Sequence, residues 1–313
     1  MSFDLEDLRR AVAAHGTVVR VVIAATRGST PRETGAAMLV WPGGQSGTIG
    51  GGALEFEAAK TALRLETDRL SQHPLGPGLG QCCGGMVILF FEIFDSAKVA
   101  ELDENVIARP AGSTGPMPLG VRNLLKRARS EGSRPEPQLC DGWMIEPVRK
   151  PSRDLWIWGA GHVGRALVQV LAPLPEFEIT WIDTDLSRYP EVRPDGVRIL
   201  PATRPADLVR HAPLHAEHLI LTYSHSLDLE LCHNLLNHGF GFAGLIGSDT
   251  KWARFRNRLA DLGHAPEKIA TLTCPIGDPS LGKHPQAIAL GVGTALLRHG
   301  EGAMAGKQKG KRA

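Results

Sequence analysis

Asp154-Leu155-Trp156-Ile157-Trp158-Gly159-Ala160-Gly161-His162-Val163-Gly164 decides the fold of the second half of this chain. An apolar strand runs into a Gly-x-Gly-x-x-Gly turn, His162 to Leu171 continues as a helix, and Glu178 to Asp183 reads as the next strand. A glycine triplet of this spacing is weak by itself. The strand before it, the helix after it and an acid closing the following strand make a Rossmann-type unit. Gly159 permits the tight turn, Gly161 lets the backbone approach a phosphate, and Gly164 allows close packing of helix on sheet. The free amides and partial positive charge of the helix N-terminus suit an anion. Asp183 stands where it can accept from a sugar hydroxyl, and His162 is a candidate contact whose plainer role is to cap the helix.

Outward from this unit, Val197 to Leu200, His218 to Tyr223 and Gly241 to Ile246 read as further strands, with helices at Thr250 to Leu262 and near Pro285 to Leu297. That alternation implies a parallel sheet with right-handed crossovers over residues 152–300. Toward the N-terminus, residues 1–105 read as a smaller α+β domain. Its elements are a helix from Asp4 to Ala14, strands Val18 to Ala25 and Ala36 to Trp41, a helix Ala53 to Leu70 and a strand Met86 to Phe94. A loop from Ser71 to Gly80 precedes that last strand. Between the domains, residues 106–151 have scattered proline and glycine and one basic helix, Leu119 to Arg129, and are expected to form a linker region. Residues 301–313 read as a basic disordered tail. The fold class is therefore α/β, a C-terminal Rossmann-type parallel-sheet domain plus a smaller N-terminal α+β domain.

A length of 313 residues agrees with two domains. Lys plus Arg total 35 against 33 Asp plus Glu, and a net charge of +2 gives no general electrostatic attraction to nucleic acid or to an anionic membrane. No apolar run reaches the ~20 residues of a membrane span, and the chain opens on an acidic amphipathic segment, so a cytoplasmic location is expected. Five cysteines, an odd number in a large chain, argue for reduced thiols and against a disulfide framework.

Several short motifs are candidates for chemistry. Gln81-Cys82-Cys83-Gly84-Gly85 places two adjacent thiols before an apolar strand. Their spacing is wrong for paired zinc ligands, whereas one thiolate with glycines beside it is an open, soft group suited to a soft metal or to carrying sulfur. The competing interpretation is two small buried residues at a strand start. Thr222-Tyr223-Ser224-His225-Ser226-Leu227-Asp228 leaves a strand at its carboxyl end, where open α/β sheets bind ligands, and makes His225 and Asp228 candidate contacts. Gly28-Ser29-Thr30-Pro31-Arg32 and the Gly50 to Gly52 loop have the look of anion-binding turns, with Arg32 as a phosphate partner, or of ordinary turns. Cys274-Pro275-Ile276-Gly277 lacks a second thiol at redox spacing and is assigned to structure or a cleft edge.

In order along the chain, Gly28 to Arg32, Gly47 to Gly52 with Leu54-Glu55, Gln81 to Gly85, Gly159 to Gly164 and Cys274 to Gly277 resemble the XdhC/CoxI family. The resemblance implies an accessory protein, with no turnover of its own, that takes part in maturation of xanthine dehydrogenase. It implies that molybdenum cofactor (molybdopterin) is the bound cargo, held while a cysteine desulfurase supplies the terminal sulfur and then passed to the molybdenum-binding subunit. On this basis Gln81, Cys82, Cys83, Arg32, Gly159, Gly161, His162, Gly164, Asp183, His225 and Asp228 are expected cofactor contacts, with Cys82 and Cys83 meeting the molybdenum and the Gly159 to Gly164 turn the phosphate. Many relatives carry histidine and aspartate where Tyr223 and Ser224 stand here. A homodimer is entertained, with no residue that demands it. The main alternative is a NAD(P)-dependent oxidoreductase in which Asp183 selects NAD; it lacks a proton donor and substrate clamp beyond His225. A third is an interaction protein with an empty Rossmann domain.

Overall fold

A run of β-branched residues from Val18 to Ile23, interrupted only by Arg20, suits a strand buried on both faces, and in the computed structural model it is the centre of the first of two compact units, Met1–Arg149 and Lys150–Ala313. The structure describes residues 2–76, 84–112 and 115–309. In the first unit α1 (Leu5–His15) leads to β1 (Val18–Arg27), β2 (Ala37–Trp41), β3 (Gly44–Gly47), α2 (Gly52–Ala62), β4 (Arg69–Pro74), β5 (Met86–Phe94) and α3 (Ser96–Ala100). Its five-stranded sheet has the order β3-β2-β1-β5-β4, with antiparallel neighbours throughout. Alternate residues of β1 serve opposite layers. Val21 and Ile23 pack with Leu54, Ala58 and Ala62 of α2, while Val22 and Ala24 pack with Phe90 and Met144.

Residues 106–151, expected as a linker, instead complete this unit. They form β6 (Val106–Pro110), α4 (Leu119–Glu131), β7 (Gln138–Cys140) and β8 (Trp143–Pro147), a three-stranded sheet of order β6-β8-β7. The unit's limit falls at Arg149, close to the expected end of the linker but with nothing linker-like before it. A second difference is β4, which lies where a helix running to Leu70 and a loop from Ser71 were expected. Its Arg-Leu-Ser-Gln-His-Pro sequence lacks β-branched residues, and it is a strand only because β5 pairs along its length.

Buried charge joins the two sheets. The Arg20 guanidinium on β1 donates to Glu146 on β8 at 2.7 and 3.0 Å, and Arg109 on β6 donates to Glu92 on β5 at 2.5 and 2.8 Å and to Glu146 at 2.6 Å. The Phe3 ring lies under both cations, 4.1 Å from Arg20 and 5.0 Å from Arg109. Two positive and two negative groups cancel, and burial, which disfavours the Glu146 carboxylate, is outweighed by Arg20 and Arg109, holding its pKa below the usual range.

The second unit is doubly wound. Its strands are β9 (Arg153–Trp158), β10 (Phe177–Asp183), β11 (Arg198–Pro201), β12 (Glu217–Ile220), β13 (Phe242–Leu245) and β14 (Leu272–Thr273). Its helices are α5 (His162–Leu171), α6 (His225–His238), α7 (Asp249–Asp261), α8 (Pro266–Ile269) and α9 (Pro285–Lys309), the last extending into the stretch expected as a tail. The sheet has the order β11-β10-β9-β12-β13-β14 and every pair is parallel. Leu155 and Ile157 of β9 face a core shared with α5 and α9, and Trp156 and Trp158 face one shared with α6 and α7. Because both faces of the central strand are covered, β9 is continuously apolar from Leu155 to Trp158. The chain order of the strands reverses between β9 and β12, which puts the crevice of an open α/β sheet beside the Gly159 turn.

Two stability measurements follow from the buried polar groups. Glu146→Ala strands two buried guanidinium groups and is expected to cost about 3–5 kcal/mol in urea unfolding; a loss below about 1 kcal/mol would show the cluster to be neutral. His218 on β12 is fully buried, its Nδ1 accepts from Trp158 Nε1 at 3.2 Å, and burial lowers its pKa from 6.5 to about 3. The folded chain keeps it neutral while the unfolded chain protonates it. Its contribution is therefore complete above pH 6.5 and falls as pH drops toward about 3, by about 2 kcal/mol at pH 5. His218→Gln should flatten the stability profile between pH 6.5 and 5 by that amount, and an unchanged slope would exclude His218 as its source.

Candidate functional site

The Gly159 to Gly164 turn is built from steric limits that only glycine meets. Gly159 has φ +125°, and a Cβ there would stand 2.5 Å from Leu221 O. A Cβ on Gly164 would stand 2.1 Å from Gly159 O, so α5 docks on the turn only without a side chain at that position. Gly161 is different: no atom lies within 4 Å of where its Cβ would be, and no side chain caps α5 there. The first amides of α5 therefore border open space, with His162 exposed as the first helical residue.

Asp183, at the end of β10, reaches back to this turn. One carboxylate oxygen accepts the Ala160 N–H at 2.5 Å, and the other accepts from Thr184 N at 2.6 Å and Thr184 Oγ1 at 3.1 Å. The residue is 5% exposed. Both oxygens are thus already engaged by the chain, where sequence reasoning has one of them accepting from a sugar hydroxyl. Arg188 Nε lies 3.6 Å from Asp183 Oδ1, and its guanidinium sits 4.8 Å from the Tyr223 ring centroid. Neither Arg188 nor its stacking on Tyr223 belongs to any motif, and only the short spacing from Asp183 signals the arginine.

The loop after β12 divides its two candidate residues. His225 begins α6, is exposed and stands edge-on to Phe255 at 6.5 Å between centroids. Asp228 is completely buried. Its Oδ1 accepts from Thr222 N at 3.0 Å and Thr222 Oγ1 at 2.7 Å, and its Oδ2 accepts from Lys251 Nζ at 2.6 Å, which also donates to Ile246 O at 2.9 Å. As it stands Asp228 presents no oxygen to a ligand; it fixes Thr222, whose Cα would be 3.2 Å from a Gly159 Cβ, and so supports the turn. Cys274 is half-buried, and burial, partly offset by Lys251, pushes its thiol up to about 11. Cys232 is buried and shifted further in the same direction, so neither is a thiolate at neutral pH.

In the first unit, the glycine motifs meet at one place. Gly50 abuts Pro31, and Gly85 is so close to Arg27 and Ser29 that a Cβ would fall 2.2 Å from Ser29 O. The Thr48 to Gly52 loop does bind an anion, and it is the chain's own. Glu55 Oε2 accepts from Thr48 Oγ1 at 2.5 Å and from Ile49 N and Gly51 N at 3.0 Å each, while Oε1 accepts from Gln45 Nε2 at 3.0 Å. Desolvation opposes the Glu55 charge, but these hydrogen bonds win and hold its pKa below the ordinary value. Arg32 is half-buried beside Gly50 with its Nε 3.4 Å from Glu33 Oε2. Gln81, Cys82 and Cys83 lie outside the described residues. Among the described residues no group of three or more His, Cys, Asp or Glu is arranged to hold a metal ion, and no helix is long and apolar enough to cross a membrane.

An open parallel sheet with a glycine turn at its reversal point, following an α+β unit of glycine loops, defines an α/β protein of two units, the second of Rossmann type. A model described as the XdhC Rossmann domain matches residues 155–295, and one described as the XdhC and CoxI family matches residues 11–73. The chain belongs to the XdhC and CoxI family. It is 26% identical over 281 residues to the uncharacterized protein YqeB of Escherichia coli (strain K12), covering 87% of this chain but 42% of that longer relative. It is also similar in fold to a solved structure from Bacillus halodurans described as a xanthine dehydrogenase, with a TM-score of 0.69, 21% identity and 95% of both chains covered.

Gly164→Ala is expected to cost about 1–3 kcal/mol by forcing α5 off the turn, and Gly161→Ala less than about 1 kcal/mol because its surroundings are empty. Urea unfolding of both variants checks this; equal losses would mean that Gly164 has room to relax.

Proposed function

We propose that this protein is a carrier of molybdenum cofactor that receives molybdopterin, holds it while a cysteine desulfurase provides the terminal sulfur, and delivers it to the molybdenum-binding subunit of xanthine dehydrogenase. The observation that carries the proposal is membership of the XdhC and CoxI family in both units, together with a glycine turn at a helix N-terminus left open at Gly161. The likeness to the Bacillus halodurans structure supports a connection with xanthine dehydrogenase. In the second unit the amides of Gly161 and His162, with His225, are assigned to phosphate; in the first, taken by itself, Cys82 or Cys83 beside Gln81 is assigned to molybdenum and Arg32 is an anion contact. Cys82 and Cys83 are preferred over Cys232 and Cys274 on chemistry, since burial keeps those two thiols protonated. The protein performs no turnover in this scheme and works in the cytoplasm.

A NAD-dependent oxidoreductase is favoured by one observation, the strand order of the second sheet, which is that of dinucleotide-binding domains. Against it stands Asp183, whose carboxylate is spent on Ala160 and Thr184.

Cys82→Ala and Cys83→Ala, singly and together, should weaken binding of molybdenum cofactor by about ten-fold or more, equivalent to ~1.4 kcal/mol, with unfolding transitions unchanged. Binding by the double variant as tight as that of the unmodified protein would remove the thiols from the site.

A further inference from the structure

We infer that Arg188, held on the face of Tyr223, makes the second unit selective for a ligand ending in a phosphate monoester and carrying a flat ring, in preference to one offering a free ribose diol. The inference rests on the cofactor-carrier proposal for its natural ligand, and it stands on four features of the turn.

The acid that would accept from a diol is occupied. Asp183 takes hydrogen bonds from Ala160 N, Thr184 N and Thr184 Oγ1, and it is buried. A sugar hydroxyl could reach it only by displacing an amide of the turn itself. Next outward from that carboxylate is a cation, Arg188 Nε at 3.6 Å from Asp183 Oδ1, which has no hydrogen-bond partner. The same carboxylate accepts the Ala160 amide of the turn and pairs with the guanidinium, so Arg188 lies beside the Gly159 to Gly164 turn. Asp183 offsets part of the Arg188 charge, but Arg188 Nε donates no hydrogen bond to it, and planar guanidinium donors suit the oxyanions of a phosphate better than a neutral diol.

Arg188 is also placed in advance. Its carbonyl accepts from Arg165 Nη2 at 2.6 Å, and the preceding turn is capped by Asp185, which accepts from Ser187 N at 2.8 Å. The following residue, Tyr189, is buried with its hydroxyl donating to Trp181 O at 3.1 Å. The backbone is therefore fixed on both sides while the side chain remains 39% exposed, stacked on the Tyr223 ring at 4.8 Å. Stacking orients the planar donors and reduces the entropy lost when they grip an oxyanion. Tyr223 itself is 67% exposed, and its hydrophobic surface is idle in the core. It follows β12 as Arg188 follows β10, so the pair spans the strand-order reversal beside the Gly159 turn, and the ring is available to a flat heterocycle in the same crevice.

The test uses two pairs of probes, each differing by one phosphate monoester. One pair is NADP and NAD. The other is the oxidised fluorescent pterin of molybdenum cofactor before and after alkaline phosphatase. With the intact protein, at least one pair should bind, its phosphorylated member about ten-fold tighter. Arg188→Gln should remove most of that difference while leaving the affinity for the dephosphorylated member within about two-fold, Arg188→Lys should restore part of it, and Tyr223→Ala should weaken both members of a pair. Equal or tighter binding of NAD and of the dephosphorylated pterin, an unchanged preference in Arg188→Gln, or no binding of either pair would overturn the inference. A phosphate preference confined to the nucleotide pair would uphold Arg188 as the selector and overturn the cofactor-carrier proposal instead.

Discussion

The Asp183 carboxylate bonded to the Ala160 amide is the contact on which the Rossmann-type unit of this protein depends. It ties the end of β10 to the turn after β9, fixes the direction of the first amides of α5, and neutralises part of Arg188. The first unit repeats the device with Glu55, which gathers Thr48, Ile49 and Gly51 around one oxygen. In both units a glycine-rich loop, expensive to order because of its backbone freedom, is held in place by an acid of the same chain. What those acids leave unmatched beside the second loop is the open amides at Gly161 and the part of the Arg188 charge that Asp183 does not offset.

Charge that cannot reach water plays a similar organising part elsewhere. The Arg20, Arg109, Glu92 and Glu146 cluster joins four strands from two sheets, and Phe3 seals it. Such a cluster contributes little net stability, since desolvation offsets the attraction, but any arrangement that leaves one member unpaired is heavily penalised. The cluster therefore specifies how the three-stranded sheet meets the five-stranded one.

How much of this was legible in the sequence depended on whether the cause was local. Helix α5 occupies His162–Leu171 as its pattern predicts, because three glycines and an apolar period lie within a few residues of one another. Strands β6, β7 and β8 were not legible: they are three to five residues long, and the apolar signal in them is interrupted by Arg109 and Glu146, which look like surface residues until their partners are known. Glu146 meets Arg20 across 126 positions, and no window of sequence spans that distance. The site divides in the same way. Glycine positions could be read from spacing, whereas the burial of Asp228 depends on Lys251 from α7, and the role of Arg188 depends on Tyr223 arriving from another strand. The thiols at Cys82 and Cys83 remain a proposal from sequence.

Family membership, a glycine turn open at Gly161 and Arg188 beside it are the observations from which we propose a protein that holds a phosphorylated cargo. The most direct measurement is the identity of small molecules released on denaturing the protein purified from cells that make molybdenum cofactor, read by mass spectrometry and pterin fluorescence. The account predicts pterin derived from molybdopterin. Release of NAD or NADP without any pterin would contradict it.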